Sequence, residues 1–226
     1  MDFESAIKRP FQDLKTFVIG LILSLIPIVQ LAVFGFALEC GRRSAKGDNS
    51  LPKWENWGKL FLDGLKLLVV VLVYQIPTLV IAVLTLGATA ATVIAGVAAG
   101  NLSALTGSLA GLGVGFLITI LFGVVFGLLG IAGALRMAET GSLGSAFSFG
   151  EARRIGLSKA MFFAFVAAGI VGLVLSVLNV IPIAGTGAMI FISEIFSWSL
   201  YGEAYGSLSG RQAKISVKPA AKKKRK

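Results

Sequence analysis

Residues 67–135 read LLVVVLVYQIPTLVIAVLTLGATAATVIAGVAAGNLSALTGSLAGLGVGFLITILFGVVFGLLGIAGAL, 69 consecutive positions without one Asp, Glu, Lys or Arg. A helical bilayer crossing needs about 20 apolar residues, so this stretch is too long for one span and suits two. A water-soluble domain of 226 residues has no interior that could hide it together with the other charge-free runs of this chain. The composition agrees: 56% of residues are hydrophobic and 14% charged, where a soluble domain carries about 25% charged. The expected class is all-α, a polytopic transmembrane helix bundle of about five spans with amphipathic interfacial helices.

Working outward, the charges mark the boundaries. Residues 17–38 carry no charge, 22 positions that make about 33 Å of helix. The 67–135 run is expected to hold spans at about 67–87 and 112–135, joined by a Gly/Ala/Ser/Thr-rich connection that either continues the helices or dips into the bilayer. Two more spans are expected at about 160–178 and 183–205, with a turn around Pro182, Gly185 and Gly187. This divides the chain into an amphipathic segment 1–16, a transmembrane domain 17–205 and a basic tail 206–226.

Orientation follows from Lys and Arg, which accumulate on the cytoplasmic side. Segments 39–66, 136–159 and 206–226 hold 6, 4 and 8 basic residues, while the connections near 101 and 183 hold none. Five crossings with a cytoplasmic C-terminus satisfy this pattern and leave the N-terminus outside. Pro27 lies midway through the first run, and a re-entrant hairpin there is the rival arrangement, with the N-terminus inside. Residues 2–15 mix three acids with three bases and no A-x-A site closes the run that follows, so 17–38 is expected to be retained and not cleaved as a signal peptide.

Two segments read as amphipathic helices in the membrane interface. Phe3, Ile7, Phe11, Leu14 and Phe17 recur at spacings of 4, 4, 3 and 3. In 53–66, Trp54, Trp57, Phe61 and Leu65 face one way while Lys53, Glu55, Lys59 and Asp63 face water. Trp54, Trp57 and Phe61 are the expected interfacial anchors, since indole rings favour the headgroup level. Segments 47–66 and 141–159 share an order of glycine, small residues, aromatics, basic residues and a closing lysine, which suggests a unit used twice.

The stretch Leu51-Pro-Lys-Trp54-Glu-Asn-Trp57-Gly-Lys-Leu-Phe61-Leu-Asp-Gly64 is the most specific in the chain. With Tyr74-Gln-Ile-Pro77, Ala146-Phe147 and Ile181-Pro182-Ile-Ala-Gly185, it resembles a family of uncharacterised multi-pass membrane proteins, largely archaeal and also bacterial, defined only as a domain of unknown function. The resemblance covers most of residues 5–206. It implies a prokaryotic plasma-membrane protein and brings no catalytic or ligand-binding residues with it.

Chemistry is narrowed by what the chain lacks. With no His and a single Cys, Cys40, there is no histidine triad, His-ligated haem or thiolate zinc cage. No cofactor or metal is expected and no enzymatic role. Glu194 falls near the middle of the last run, where a charge is costly and usually functional. Together with Trp198, Tyr201 and Tyr205 it forms a stripe at spacings of 4, 3 and 4. A proton or ion site is the functional reading, with Glu194 binding, Tyr201 supporting, and Gln75, Asn179 and Gln30 lining a polar path beside prolines that free backbone carbonyls. The structural reading is a hydrogen-bonded carboxyl that ties helices together. Gly96/Gly100 and Gly123/Gly127 have G-x-x-x-G spacing and read as packing sites within one chain or between copies in a homo-oligomer. The tail ends in Lys222, Lys223, Lys224, Arg225 and Lys226, a match for anionic lipid headgroups, with a cytoplasmic partner or ribosomal RNA as other polyanion targets.

Two functions compete on this reading. One is a non-enzymatic membrane scaffold or interaction protein with a polybasic tail. The other is a small channel or secondary transporter for protons, cations or a small solute that uses Glu194.

Overall fold

In the computed structural model, which describes residues 1–209 (backbone alone at 102–105 and 109), the regular elements are all helical. They are α1 (Phe3–Lys8), α2 (Leu14–Ser24), α3 (Gln30–Ser44), α4 (Trp57–Ala98), α5 (Leu102–Thr140), α6 (Phe149–Gly156), α7 (Lys159–Leu175) and α8 (Ala184–Leu208), with short 3-10 turns at Arg9–Phe11, Leu143–Phe147 and Ser176–Val180. Several helices start on side-chain caps that satisfy their first N–H groups. The Asp13 carboxylate accepts from Thr16 N at 3.0 Å to open α2, and Ser158 Oγ accepts from Met161 N at 3.2 Å to open α7.

The charge-free run that decides the class folds as one long hairpin. Its connection is helical almost throughout, so α4 and α5 reach 42 and 39 residues, about 63 and 58 Å, and Gly100 (φ 61°) breaks the path between them. The two helices run antiparallel in close contact. A Cβ on Gly115 would meet Thr85, one on Gly127 would meet Gln75 and one on Gly130 would meet Tyr74. Among the described residues, three helical segments are long and apolar enough to cross a membrane: Trp57–Ala98, Thr106–Thr140 and Lys159–Val180.

The continuous helix expected over 17–38 is absent. Leu25, Ile26, Pro27, Ile28 and Val29 separate α2 from α3, because proline lacks an N–H and disfavours helix in the residue before it. At 11 and 15 residues the two helices span only about 16 and 22 Å, short of a hydrocarbon core of about 30 Å. They also double back. Arg9, just ahead of α2, bonds to Cys40 and Ser44 near the end of α3, and Trp54 Nε1 donates to Thr16 O at 3.1 Å. Both open ends of the α2–α3 hairpin therefore lie together, as in the re-entrant arrangement.

The separate interfacial helix expected over 53–66 is also corrected. Asn56 takes a left-handed conformation (φ 56°), which asparagine tolerates, and from Trp57 onward the segment is simply the first turns of α4. Trp54 lies outside the helix, stacked between Phe36 at 4.2 Å and Trp57 at 5.3 Å, so it is a wedge between elements. Trp57 is the outward-facing member of the pair, and Phe61 is half-buried. The similar segments at 47–66 and 141–159 both open on a left-handed glycine, Gly47 (φ 77°) and Gly141 (φ 74°). They then diverge, since the second makes its own short helix α6, held by an Arg136–Glu151 ion pair and by Tyr74 Oη donating to Ala146 O at 2.8 Å.

α8 is the axis of the rest. It runs beside α3 in the same direction, with Gly202 against Gly41 and Gly206 against Ala45, and beside α2 in the opposite one, with Gly187 against Leu21. The core fills the space between α3, α4, α5, α7 and α8 with Leu38, Tyr74, Leu135, Met161, Phe196 and Tyr205. A second cluster seats Phe191 among Val33, Phe36, Cys40 and Leu60. The surface is inverted relative to a water-soluble protein: Leu14, Val83, Phe116, Phe163 and Leu173 point outward, while Arg9 is completely buried.

Candidate functional site

The ends of α3 and α8 and the starts of α4 and α2 converge at one end of the bundle, which also carries most of the charge. Arg9 is its centre. Nη1 donates to Cys40 O (3.1 Å), Ser44 Oγ (2.6 Å) and Ser199 Oγ (2.9 Å), and Nη2 to Ser50 O (2.8 Å) and Asp48 O (3.4 Å). One guanidinium thus ties four parts of the chain together. The N-terminus is fixed beside it, as Asp2 N donates to Glu203 Oε2 at 2.7 Å.

Next to this clasp, α3, α4 and the end of α5 enclose a cavity of about 600 Å3 lined by Glu39, Arg42, Lys59, Asp63, Lys66 and Glu139. Its charges form a chain. Glu39 takes a two-pronged contact from Arg42, a bond from Arg43 Nε at 3.4 Å and the charge of Lys59 at 3.8 Å. Lys59 also reaches Asp63 at 3.3 Å, and Asp63 meets Lys66 at 3.5 Å. Tyr205 Oη donates to Glu139 at 3.1 Å. Burial acts to raise the Glu39 pKa, but the Arg42 hydrogen bonds and the charges of Arg42 and Lys59 outweigh it and hold the carboxyl below its ordinary value of 4.5. A carboxyl that titrates lower when folded stabilises fully above its unfolded value and loses that contribution as pH falls through the folded one. Glu39→Gln is therefore expected to cost about 1–3 kcal/mol at neutral pH, with the gap to wild type closing below pH 4.5 in unfolding titrations. A gap independent of pH would show that the charge is not what stabilises. Sequence reasoning placed residues 39–66 in a basic segment and read Lys59 and Asp63 as the water-facing side of an amphipathic helix, without pairing them. The signal it passed over is the i, i+3 and i, i+4 spacing of opposite charges at 39/42/43 and 59/63/66.

Glu194 lies further along α8, in a second cavity of about 310 Å3 bounded by Phe34, Leu67, Leu68, Val71, Ser197, Trp198 and Tyr201. Trp198 Nε1 donates to Glu194 Oε2 at 3.0 Å, and among the described residues no Lys or Arg lies within ion-pair distance of it. The structure thus joins Glu194 to Tyr201. It does not bring Gln75, Asn179 or Gln30 to them. Gln75 faces Gly127 in the α4–α5 seam. Asn179 closes the α7–α8 turn, accepting from Thr186 Oγ1 at 3.1 Å and donating to Met189 Sδ at 3.2 Å. Gln30 opens α3. The continuous polar path expected from the sequence is not assembled from these groups. Among the described residues no cluster of three His, Cys, Asp or Glu side chains could hold a metal ion, and Lys222, Lys223, Lys224, Arg225 and Lys226 lie outside the described residues.

Residues 18–184 match the family described as "Protein of unknown function (DUF4013)". The chain belongs to that family. Its matched region starts in α2 and ends at the first residue of α8, so it takes in the α2–α3 hairpin, the charged cavity and the α4–α5 hairpin, and leaves Glu194 outside. No characterised protein and no solved structure matches the chain.

Proposed function

We propose that this protein is a polytopic integral membrane protein of the prokaryotic plasma membrane that performs no covalent chemistry and serves as an interaction scaffold. One observation carries the reading: the outward surface along α4, α5 and α7 is apolar, while ion-paired side chains gather at the single end where the α2–α3 hairpin also opens. Apolar flanks suit lipid, and a charged, cross-braced end suits contact with headgroups or a partner. In this reading the hairpin enters and leaves on one side, α4, α5, α7 and α8 cross, and both termini face the cytoplasm with the basic residues. That replaces five crossings with four. The polybasic tail adds attraction to anionic lipid of about 1 kcal/mol per basic residue near the surface.

The transporter reading rests on Glu194 having no cationic partner among the described residues. It needs polar groups in series, and Gln75, Asn179 and Gln30 stand apart from it. Ion flux separates the two. Proteoliposomes holding the full chain under proton, Na+ and K+ gradients are expected to leak no faster than empty vesicles, for wild type and Glu194→Gln alike. Flux that Glu194→Gln abolishes would replace the scaffold with a channel or transporter.

A further inference from the structure

The Glu194 cavity has chemistry that the scaffold reading does not use. Its walls are three aromatic rings, Phe34, Trp198 and Tyr201, two of them set at a right angle to each other (84°, centroids 5.8 Å apart). Leu67, Leu68, Val71 and Ser197 complete it, and among the described residues the one charge facing the space is the Glu194 carboxylate. A carboxylate removed from water is costly unless a positive group is supplied. This one receives a single indole hydrogen bond and no ion pair from the described residues. The missing positive charge is what a ligand can bring.

The walls narrow what kind of cation that is. Mg2+ and Ca2+ demand six or more oxygen ligands, and a wall of rings and aliphatic side chains with only the Ser197 and Tyr201 hydroxyls beside Glu194 falls short of them. An alkylated ammonium needs only one counter-charge, and ring faces attract it through their quadrupoles, Trp most strongly. Leu68 and Val71, 37% and 42% exposed, place the mouth of the cavity on the apolar flank of α4, so the ligand arrives from apolar surroundings. We propose that the cavity between α3, α4 and α8 binds a lipophilic organic monocation, an amine or quaternary ammonium, with its charge on Glu194 and its alkyl groups against Trp198, Tyr201 and Phe34. Binding requires no transport, so this proposal stands or falls separately from the flux test.

The test uses the full chain in detergent micelles or nanodiscs, with benzyltrimethylammonium as the probe, read by calorimetry and by tryptophan fluorescence. Wild type is expected to bind saturably, and neopentylbenzene, the uncharged carbon analogue, is expected not to displace the probe. Glu194→Gln is expected to weaken binding at least tenfold and Trp198→Phe several-fold, with melting temperatures near wild type. If Glu194→Gln does not fold, Leu68→Trp, which plugs the mouth from the lipid side, carries the test and is expected to abolish binding. The proposal is overturned if wild type fails to bind, if the neutral analogue competes equally, or if folded Glu194→Gln or Leu68→Trp binds like wild type.

Discussion

Arg9→Ala is expected to destabilise the folded chain by about 3–5 kcal/mol, measured by denaturant unfolding in micelles. The side chain is fully buried and donates to three backbone carbonyls and two serine hydroxyls drawn from α3, the loop after it and α8. Hydrogen bonds from a charged donor contribute about 1.5–3 kcal/mol each. Their sum is reduced by the cost of burying the guanidinium, which the variant no longer bears, and the truncation leaves a void that adds to the loss. Arg9→Lys keeps the charge but not the planar fork, and it is expected to fall between the two. A loss under 1 kcal/mol for Arg9→Ala would mean that the N-terminal segment does not depend on this residue for its place.

The second large effect is expected at the crossing of α3 and α4. A Cβ on Gly64 would lie 1.8 Å from Leu31 O, and one on Gly35 would lie 1.9 Å from Leu60 O. The two backbones touch at reciprocal points, and a methyl group at either forces the helices apart. Gly64→Ala is expected to cost about 1–3 kcal/mol, and Gly64→Val more, because it also separates Leu60 and Leu67 from their neighbours. Gly87→Ala in the same helix is the contrast. Its Cβ would meet nothing within 4 Å, so the gain in helix propensity, about 0.5–1 kcal/mol, is expected to dominate. Equal losses at 64 and 87 would show that helix propensity, not close approach, sets the response.

The sequence made the helical class legible because lipid tolerates few architectures: 69 residues without charge leave little choice beyond helices. The helix limits were less legible. The Gly/Ala/Thr connection after residue 87 contains good turn formers, yet α4 runs on to Ala98, because pairing with α5 outweighs local preference. At residues 17–38 hydropathy alone cannot tell one crossing from a hairpin, as both bury the same side chains. Pro27 was the visible hint, and the fold-back shows in contacts from outside the segment, where Arg9 bonds to Cys40 and Ser44. The sites divide the same way. Glu194 stood out by isolation and Tyr201 by helical spacing. The Glu39–Lys59–Asp63 chain joins two helices, and its geometry depends on how α3 and α4 cross. Gln75 and Asn179 looked like partners of Glu194 because residue type was visible and helix rotation was not.

The α2–α3 hairpin also bears on the order in which the protein is made. In the proposed four-crossing arrangement the hairpin returns to the side it entered and adds nothing to the alternation that an insertion machinery reads, so commitment to an orientation falls to α4. The α3 half of the hairpin packs on α4, which follows it directly, but the surface that receives α2 is α8: Phe191 fills the place beside Gly20, Gly187 meets Leu21, and Ser199 accepts from Arg9. Those residues are synthesised much later than the hairpin. At about 5–20 residues per second, the 190 positions between Arg9 and Ser199 amount to a wait of about 10–40 s. For that interval α3 can pack on α4, but α2 lacks the helix it lies against, until α8 arrives and closes on it.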